Sequence, residues 1–465
     1  MSVLVPRTNF NDNVAAWLDQ QLTVQSIIPQ KFNMSSQQRM QMQNSQKVLR
    51  AYDVLHENGK QFVSIPFSFY YHHCSNIKRV PLIAFEQKKM KFEGQLLPRQ
   101  IDIKEETLEI LSRTNSVLLS LHTGFGKTIF TLYLLSRIGM KALVLCHRSI
   151  IIQQWLESVA KYLPSLKVDV LSTTKIKQNV HYYDDNDILI ANVTLINDID
   201  RSVFASFGTL IIDEAHTICT PECSKALYKL FPAYLIGLSA TPFRTDGLDK
   251  ILELYVGPEM VIRKMTRYFN AYRLNTKFEP KAKSTVDGKL DWNSVLESQA
   301  IDNERNILIC RLVWYFDKRN ILILVKRTEH ALQLKNMLIT LGQDCDCFMK
   351  NAKKVNYDCR VLIATYSKGG VGFDHPKLDM LIAGADVEES FMQYLGRVFR
   401  RDDQQPIYID LRDKMKSMES HSRTRLNICK ETGANVLDFY KNFSNFDVLT
   451  EWIFDVFANE GVSKN

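Results

Sequence analysis

Leu121-His122-Thr123-Gly124-Phe125-Gly126-Lys127-Thr128 is the stretch on which the reading of this chain turns. An apolar run at 116–120, the pattern of a buried parallel strand, precedes it, and an apolar, helix-like segment at 129–138 follows. Strand, glycine-bearing loop and helix, in that order, form the setting in which Gly-Lys-Thr holds phosphate. Gly124 and Gly126 let the backbone turn tightly and aim N–H groups inward, and the helix N-terminus favours an anion. Lys127 is placed to reach the β/γ-phosphates of a nucleotide, and the Thr128 hydroxyl to ligate Mg²⁺. Leu121 stands where Gly or Ala is usual in such loops.

Outward from this loop, apolar strands alternate with helices. Strands are expected at 141–146, 187–191, 209–212 and 234–238, and helices at 149–162 and 222–230. That alternation implies a parallel sheet covered on both faces, with ligands at the carboxyl ends of its strands. Asp213-Glu214-Ala215-His216 follows one strand and Ser239-Ala240-Thr241-Pro242 follows another. Asp213 suits a Mg²⁺ ligand and Glu214 suits polarising the water that attacks a γ-phosphate. His216 is positioned to couple this site to a second one. Ser239 and Thr241 carry hydroxyls suited to bonding the acidic groups.

A second α/β unit follows, with a helix at 306–315, a strand at 321–325, a helix at 329–341 and strands at 360–364, 378–383 and 407–411. It has no phosphate loop of its own. It does contain Gly369-Gly370-Val371-Gly372-Phe373-Asp374 and Gln393-Tyr394-Leu395-Gly396-Arg397-Val398-Phe399-Arg400-Arg401. A helix over 388–400 would bring Gln393, Arg397 and Arg400 to one face, at i, i+4 and i+7. In a chain with a nucleotide loop, such arginines stabilise charge on a transferring phosphoryl group.

The remaining segments say less. Residues 1–90 read as a small accessory domain, with one or two strands over 61–71 broken at Pro66. His72-His73-Cys74 lacks a second ligand pair at metal-site spacing, and so do Cys219, Cys223, Cys345 and Cys347. Residues 266–291 read as a connector with room for short strands. The segment 435–457 spaces Val436, Phe439, Tyr440, Leu449, Ile453 and Phe457 as on a helix. The expected organisation is an accessory domain at 1–90, α/β domains at 91–260 and 301–430 around a connector at 261–300, and a helical tail at 431–465.

Composition narrows the class further. Of 465 residues, 45% are hydrophobic and 24% charged, as in ordinary globular chains, and the length allows two to four domains. No apolar run reaches the roughly 20 residues of a bilayer span, and the first residues lack a signal-peptide layout. Nine cysteines without a framework spacing point to a reducing compartment, cytoplasmic or nuclear. The net charge of +8 permits a polyanionic partner.

Taken together, the motifs resemble those of superfamily 2 helicases, over about residues 97–410. Leu97-Pro98-Arg99-Gln100 resembles the element whose glutamine reads adenine. Leu121–Thr128 is similar to motif I, Asp213-Glu214-Ala215-His216 to the DEAH form of motif II, and Ser239-Ala240-Thr241 to motif III. Residues 364–374 resemble motif V, and Gln393–Arg400 matches the Gln-x-x-Gly-Arg-x-x-Arg of motif VI. Gly237–Leu248, reading Gly-Leu-Ser-Ala-Thr-Pro-Phe-Arg-Thr-Asp-Gly-Leu, and Ala364-Thr365-Tyr366-Ser367 are similar to the XPB-like branch, and the compact length resembles helicases of large cytoplasmic DNA viruses, such as the poxvirus transcript-release helicase. Val371, where the branch often has Glu, and His147-Arg148, where many members have Pro-Thr, depart from the pattern.

The resemblance implies two tandem RecA-like P-loop NTPase domains, with ATP and Mg²⁺ at their interface and nucleic acid across both. Leu121, His122, Thr123, Gly124, Phe125, Gly126, Lys127 and Thr128, with Gln100 and Asp374, would bind ATP. Lys127, Asp213, Glu214, Gln393, Arg397 and Arg400 would carry hydrolysis. Thr128 and Asp213 would hold the metal, and His216, Ser239 and Thr241 would couple the sites. Arg148, Gln154, Thr194, Lys326, Arg327 and Thr365 are the expected nucleic-acid contacts, hydroxyl, amide and basic groups being the types that grip phosphate and sugar. The expected partners are nucleic acid, DNA ahead of RNA, and RNA polymerase or other transcription proteins. The chain is expected to act as a monomer without a membrane, in a viral factory if viral. Transcript release, repair and recombination are the processes this suits. An ATP-gated clamp that remodels a transcription complex without unwinding is the alternative. A metabolic phosphotransferase accounts for neither the paired arginines nor the loop-less second sheet.

Overall fold

A computed structural model describes residues 1–26, 48–57, 59–81, 84–218, 220–239, 248, 250–285, 290–349, 355–369, 375–387, 391–401, 403–443 and 446. The backbone divides into two units, Met1–Lys264 and Met265–Asn465.

The first unit opens with a three-stranded antiparallel sheet of β1 (Ser2–Pro6), β2 (Asp53–Glu57) and β3 (Lys60–Pro66), in the order β1-β3-β2, beside α1 (Asp12–Leu22). After α2 (Lys104–Thr114) comes a seven-stranded parallel sheet: β4 (Ser116–Leu121), β5 (Ala142–Cys146), β6 (Val168–Val170), β7 (Ile188–Asn192), β8 (Thr209–Ile212), β9 (Tyr234–Ser239) and β10 (Met260–Arg263). Its order is β10-β4-β9-β8-β5-β7-β6. All six side chains of β4 and all five of β5 are buried, which explains their unbroken apolar runs: helices cover both faces. Two of these helices are α3 (Lys127–Ile138) and α4 (Ser149–Tyr162), which pack on each other.

Residues 1–90, expected as an accessory domain, share a hydrophobic core with this sheet. Met1, Val3, Ile65 and Phe67 belong to the same buried cluster as Leu210, Ile212, Leu227 and Tyr255. Ser2 N–H donates to Leu230 O at 2.8 Å, and the Tyr255 hydroxyl to Ala51 O at 2.8 Å.

The second unit is built on a parallel sheet of β11 (Phe269–Asn275), β12 (Ile321–Val325), β13 (Cys345–Phe348), β14 (Val361–Thr365), β15 (Met380–Ala383), β16 (Ile407–Arg412) and β17 (Ala434–Asp438). The order is β13-β14-β12-β15-β16-β11-β17. Its helices include α5 (Trp292–Ile301), α6 (Asn303–Tyr315), α7 (Thr328–Thr340), α8 (Phe391–Leu395) and α9 (Lys416–Thr432).

Three expectations need correction here. The connector contributes β11, an interior strand paired with both β16 and β17. Its polar residues Asn270 and Arg273 interrupt the buried Phe269, Ala271, Tyr272 and Leu274, so no apolar run or strict alternation marks the strand. The tail begins as a strand: Gly433, at φ +105°, ends α9, and the chain turns into β17. A Cβ at Gly433 would lie 2.8 Å from Arg267 O, so only glycine fits that turn. Phe439 and Tyr440 then lie on a short helix, Phe439–Asn442, as their spacing predicts, and Phe439, Phe443 and Phe446 make ring contacts with Tyr315 or Phe316. Leu449, Ile453 and Phe457 lie outside the described residues. Lastly, the helix expected over 388–400 is short: α8 ends at Leu395, and Gly396–Val398 form a 3₁₀ turn. Glycine at position 396 and the tight turn interrupt the α-helical spacing, so Gln393, Arg397 and Arg400 do not share the face of one continuous helix.

Candidate functional site

In the first sheet β4, β9 and β8 are neighbours, so Leu121–Thr128, Ser239 and Asp213–His216 meet at one carboxyl edge. The loop is braced from behind. Arg99 Nε and Nη2 donate to Phe125 O at 3.2 Å and Gly124 O at 3.0 Å. Gln100 is fully buried, and its Nε2 donates to Gly126 O at 3.1 Å and Phe125 O at 3.3 Å, while its Oε1 accepts from Leu97 N–H at 2.8 Å. Gln100, expected to read adenine, thus has its amide turned onto the loop backbone. Gly126 has φ +90°, and a Cβ there would stand 2.5 Å from Gln100 Nε2. Its glycine is required by both conformation and space. Leu121 and Phe125 are buried, which anchors the loop at two points. His122 Nδ1 lies 2.9 Å from Thr123 O.

Lys127 opens α3, and its ammonium donates to Leu121 O at 3.0 Å. Asp213 lies close enough to feel that charge. Its carboxyl is nonetheless pushed up, to about 6, first by desolvation and then by the neighbouring Glu214, against the pull of Trp155 and Lys127. Trp155 Nε1 donates to Asp213 Oδ2 at 2.8 Å, and Glu214 N–H to Oδ1 at 2.9 Å. Glu214 has φ +50°, which costs energy for a residue with a Cβ. Its Oε2 is buried without a hydrogen-bond donor among the described residues, with His216 Nδ1 3.5 Å away. His216 Nδ1 also lies 3.0 Å from Ser239 Oγ.

This donor set fits a hydrated divalent cation. Thr128 offers a hydroxyl, Asp213 a carboxylate, and the Glu214 oxygen lacks a donor that a water could supply.

A pH-dependent prediction follows. A carboxyl whose pKa is higher folded than unfolded binds its proton better in the native state. Stability therefore falls as pH rises from about 4, the unfolded value, through about 6, and the penalty is complete above that. In metal-free buffer, Asp213→Asn is expected to raise the melting temperature above pH 6 by about 2–4 °C per kcal/mol relieved. The gain should vanish near pH 4, as thermal melts across that range would show.

The other expected residues are distributed as follows. Arg148 and Thr194 are exposed, each two residues past its strand, β5 or β7, on the same carboxyl edge as the loop. Gln154 is half-buried on α4. In the second unit, Lys326 lies over the Tyr366 ring at 5.9 Å, and Arg327 donates to Asn293 O at 3.1 Å. Thr365, expected to contact nucleic acid, is buried, with its hydroxyl 3.2 Å from Ser367 Oγ. Gln393 and Arg397 are also buried, so the arginine segment is not a solvated basic face. Arg425 on α9 supports the approach to it, donating to Asp386 Oδ1 and Val387 O, both at 2.7 Å, and to Asp410 Oδ1 at 2.7 Å. Thr241 and Asp374 lie outside the described residues, as does Cys219. No cluster of metal-ligating side chains is found among the described residues, and the thiols of Cys74, Cys345 and Cys347 are pushed up by burial.

Sequence reasoning overlooked Arg99 and Trp155. Arg99 adjoins Gln100 in the same four-residue element. Trp155 lies on the buried stripe Ile151, Trp155, Val159, and a buried indole N–H needs an acceptor.

Known proteins resemble this chain in both sequence and fold. A family model described as Type III restriction enzyme, res subunit, matches residues 93–244. "Putative helicase 161L" of Invertebrate iridescent virus 6 is 34% identical over 374 residues, covering 75% of this chain and 84% of that protein. "Putative ATP-dependent RNA helicase L396" of Acanthamoeba polyphaga mimivirus is 25% identical over 415 residues, covering 83% and 77%. Among solved structures, Mycobacterium smegmatis helicase Lhr bound to ssDNA and AMP-PNP superposes with a TM-score of 0.50 at 18% identity, covering 74% of this chain and 49% of that one. The last is a likeness of fold.

Proposed function

The chain belongs to the superfamily 2 helicases of large DNA viruses, and on that premise we propose an ATP-driven motor that translocates on nucleic acid, DNA ahead of RNA. The observation that carries this reading is the convergence of a braced phosphate loop, Lys127 and the Asp213–Glu214 pair on adjacent strand ends.

Lys127 binds the β/γ-phosphates once its ammonium leaves Leu121 O. Thr128 and Asp213 would hold Mg²⁺, which would supply charge neutralisation at the phosphates. Glu214 takes the proton of the attacking water, and its buried oxygen is suited to that task. His216 and Ser239 pass the state of this site onward. Arg397 and Arg400 stabilise charge on the transferring phosphoryl group, as the family resemblance implies. Arg148, Gln154, Thr194, Lys326 and Arg327 grip phosphate and sugar, and Thr365 supports that grip from within its fold. The working division is 1–90, 91–260, 261–300, 301–430 and 431–465, with β11 and β17 lending the connector and tail to the second sheet. A role in viral transcription, with polymerase-associated partners, is the reading we favour for the pathway.

The deciding experiment measures ATP turnover with and without DNA or RNA, then unwinding of duplexes carrying either overhang. Stimulation by a polynucleotide is expected, and its absence with every polynucleotide would sink the motor reading. Stimulation without strand displacement would select the ATP-gated clamp or a pure translocase.

A further inference from the structure

The indole N–H of Trp155 and the carboxylate of Asp213 are 58 residues apart in sequence and 2.8 Å apart in space. Packing alone does not require that bond. The buried stripe of α4 needs apolar volume at position 155, which Phe, Leu or Met would supply. Here the filler is an indole that donates to an acidic residue of the catalytic motif, a charge-assisted hydrogen bond in a desolvated place.

The backbone makes the same connection a second time. Asp213 N–H donates to Leu145 O at 2.9 Å, and Leu145 is on β5, the strand that leads through His147 and Arg148 into α4. Asp213 is therefore held by the β5–α4 unit at both its main chain and its side chain. Its remaining named bond, Oδ1 to Glu214 N–H at 2.9 Å, ties it to the second catalytic acid.

What stands at the N-terminal end of α4, about two turns from Trp155 at mid-helix, gives this tether a use. Arg148 is the exposed N-cap residue of the helix, seven residues before Trp155. Seven residues are close to two turns, about 10 Å, so Arg148 sits at the end of the line that carries Ile151 and Trp155. Arg148 and the indole that binds the Asp213 carboxylate thus belong to one continuous helix and its cap.

We infer that Trp155 is a positioning residue: it sets the Asp213 carboxylate according to whether nucleic acid occupies the N-terminal end of α4. The inference rests on the motor reading above. Coupling runs both ways, since ATP that fixes Asp213 also fixes α4 and alters the grip on the strand.

Trp155→Phe tests this in the full chain, because it keeps a buried ring and removes only the donor. The measurements are binding of a labelled oligonucleotide and of a non-hydrolysable ATP analogue, each alone and together, and ATP turnover with and without the oligonucleotide. Each ligand alone is expected to bind within a few-fold of wild type. The factor by which one ligand changes the other's affinity, typically about 5–150-fold in coupled systems, is expected to fall toward one. Stimulation of kcat should fall with it, while KM for ATP stays near wild type. A coupling factor equal to wild type would overturn the inference. Should Trp155→Phe not fold, the wild-type protein answers directly. It has five tryptophans, and substituting the other four in turn assigns the Trp155 indole signal by NMR. Oligonucleotide alone should shift that signal, and a signal that stays still overturns the inference. If wild type neither binds nor responds to any polynucleotide, the motor reading itself falls, a result distinct from wild-type coupling that survives loss of the indole donor.

Discussion

Lys127→Ala is expected to reduce ATP hydrolysis by at least about 10²–10³-fold, the loss that follows removal of one preorganised charge-stabilising donor. The ammonium is the one side-chain cation of the loop, and it sits at the first residue of α3, where the helix N-terminus also favours an anion. In the structure it rests on Leu121 O at 3.0 Å, so the truncation removes a ligand group and a brace of the loop together. The fold should survive, since the loop keeps its bonds from Arg99 and Gln100. Phosphate release under saturating ATP, beside binding of a labelled ATP analogue, is the measurement. Both should fall. Lys127→Arg should not restore activity, because a planar fork does not replace a compact point charge. Wild-type turnover in Lys127→Ala would remove the phosphate-loop reading altogether.

Arg397→Ala is expected to be as damaging to turnover and far less damaging to binding. An arginine that meets charge developing in the transition state is worth about 10³–10⁵ in kcat. One that only holds the ground state would raise KM instead. Arg397 is 8% exposed, so its truncation also leaves a space in the second unit, and a thermal melt must accompany the kinetics. The expected result is a folded protein that binds the ATP analogue within a few-fold of wild type and hardly turns ATP over. Turnover at the wild-type rate would show that Arg397 does not act on the transferring phosphoryl group.

The two predictions draw on different kinds of information. The phosphate loop was legible because its chemistry is contiguous: strand, turn glycines, lysine and helix occupy one short run. Asp213–His216 and Ser239 were legible almost as easily, since parallel strands put their carboxyl ends on one edge. The arginine segment was read correctly in composition and incorrectly in shape. Gly396 and the turn at Gly396–Val398 break the helical spacing, and only the folded chain shows Gln393 and Arg397 buried. Strand β11 was expected only as a short strand of a connector because Asn270 and Arg273 interrupt its apolar residues, and β17 was read as part of a helix because Val436 falls at helical spacing from the aromatic residues that follow.

Determined by the sequence alone were the two α/β units, the phosphate loop and the acidic pair, since each depends on residues within a few positions of one another. Pairings across long separations were left to the tertiary structure. Gln100 meets the backbone of a loop 26 residues on, Arg425 meets an acid 39 residues back, and Trp155 meets Asp213 across 58. A side chain's hydrogen-bonding capacity is written in its type, but its partner is chosen by the sheet order and helix packing that bring distant strand ends together.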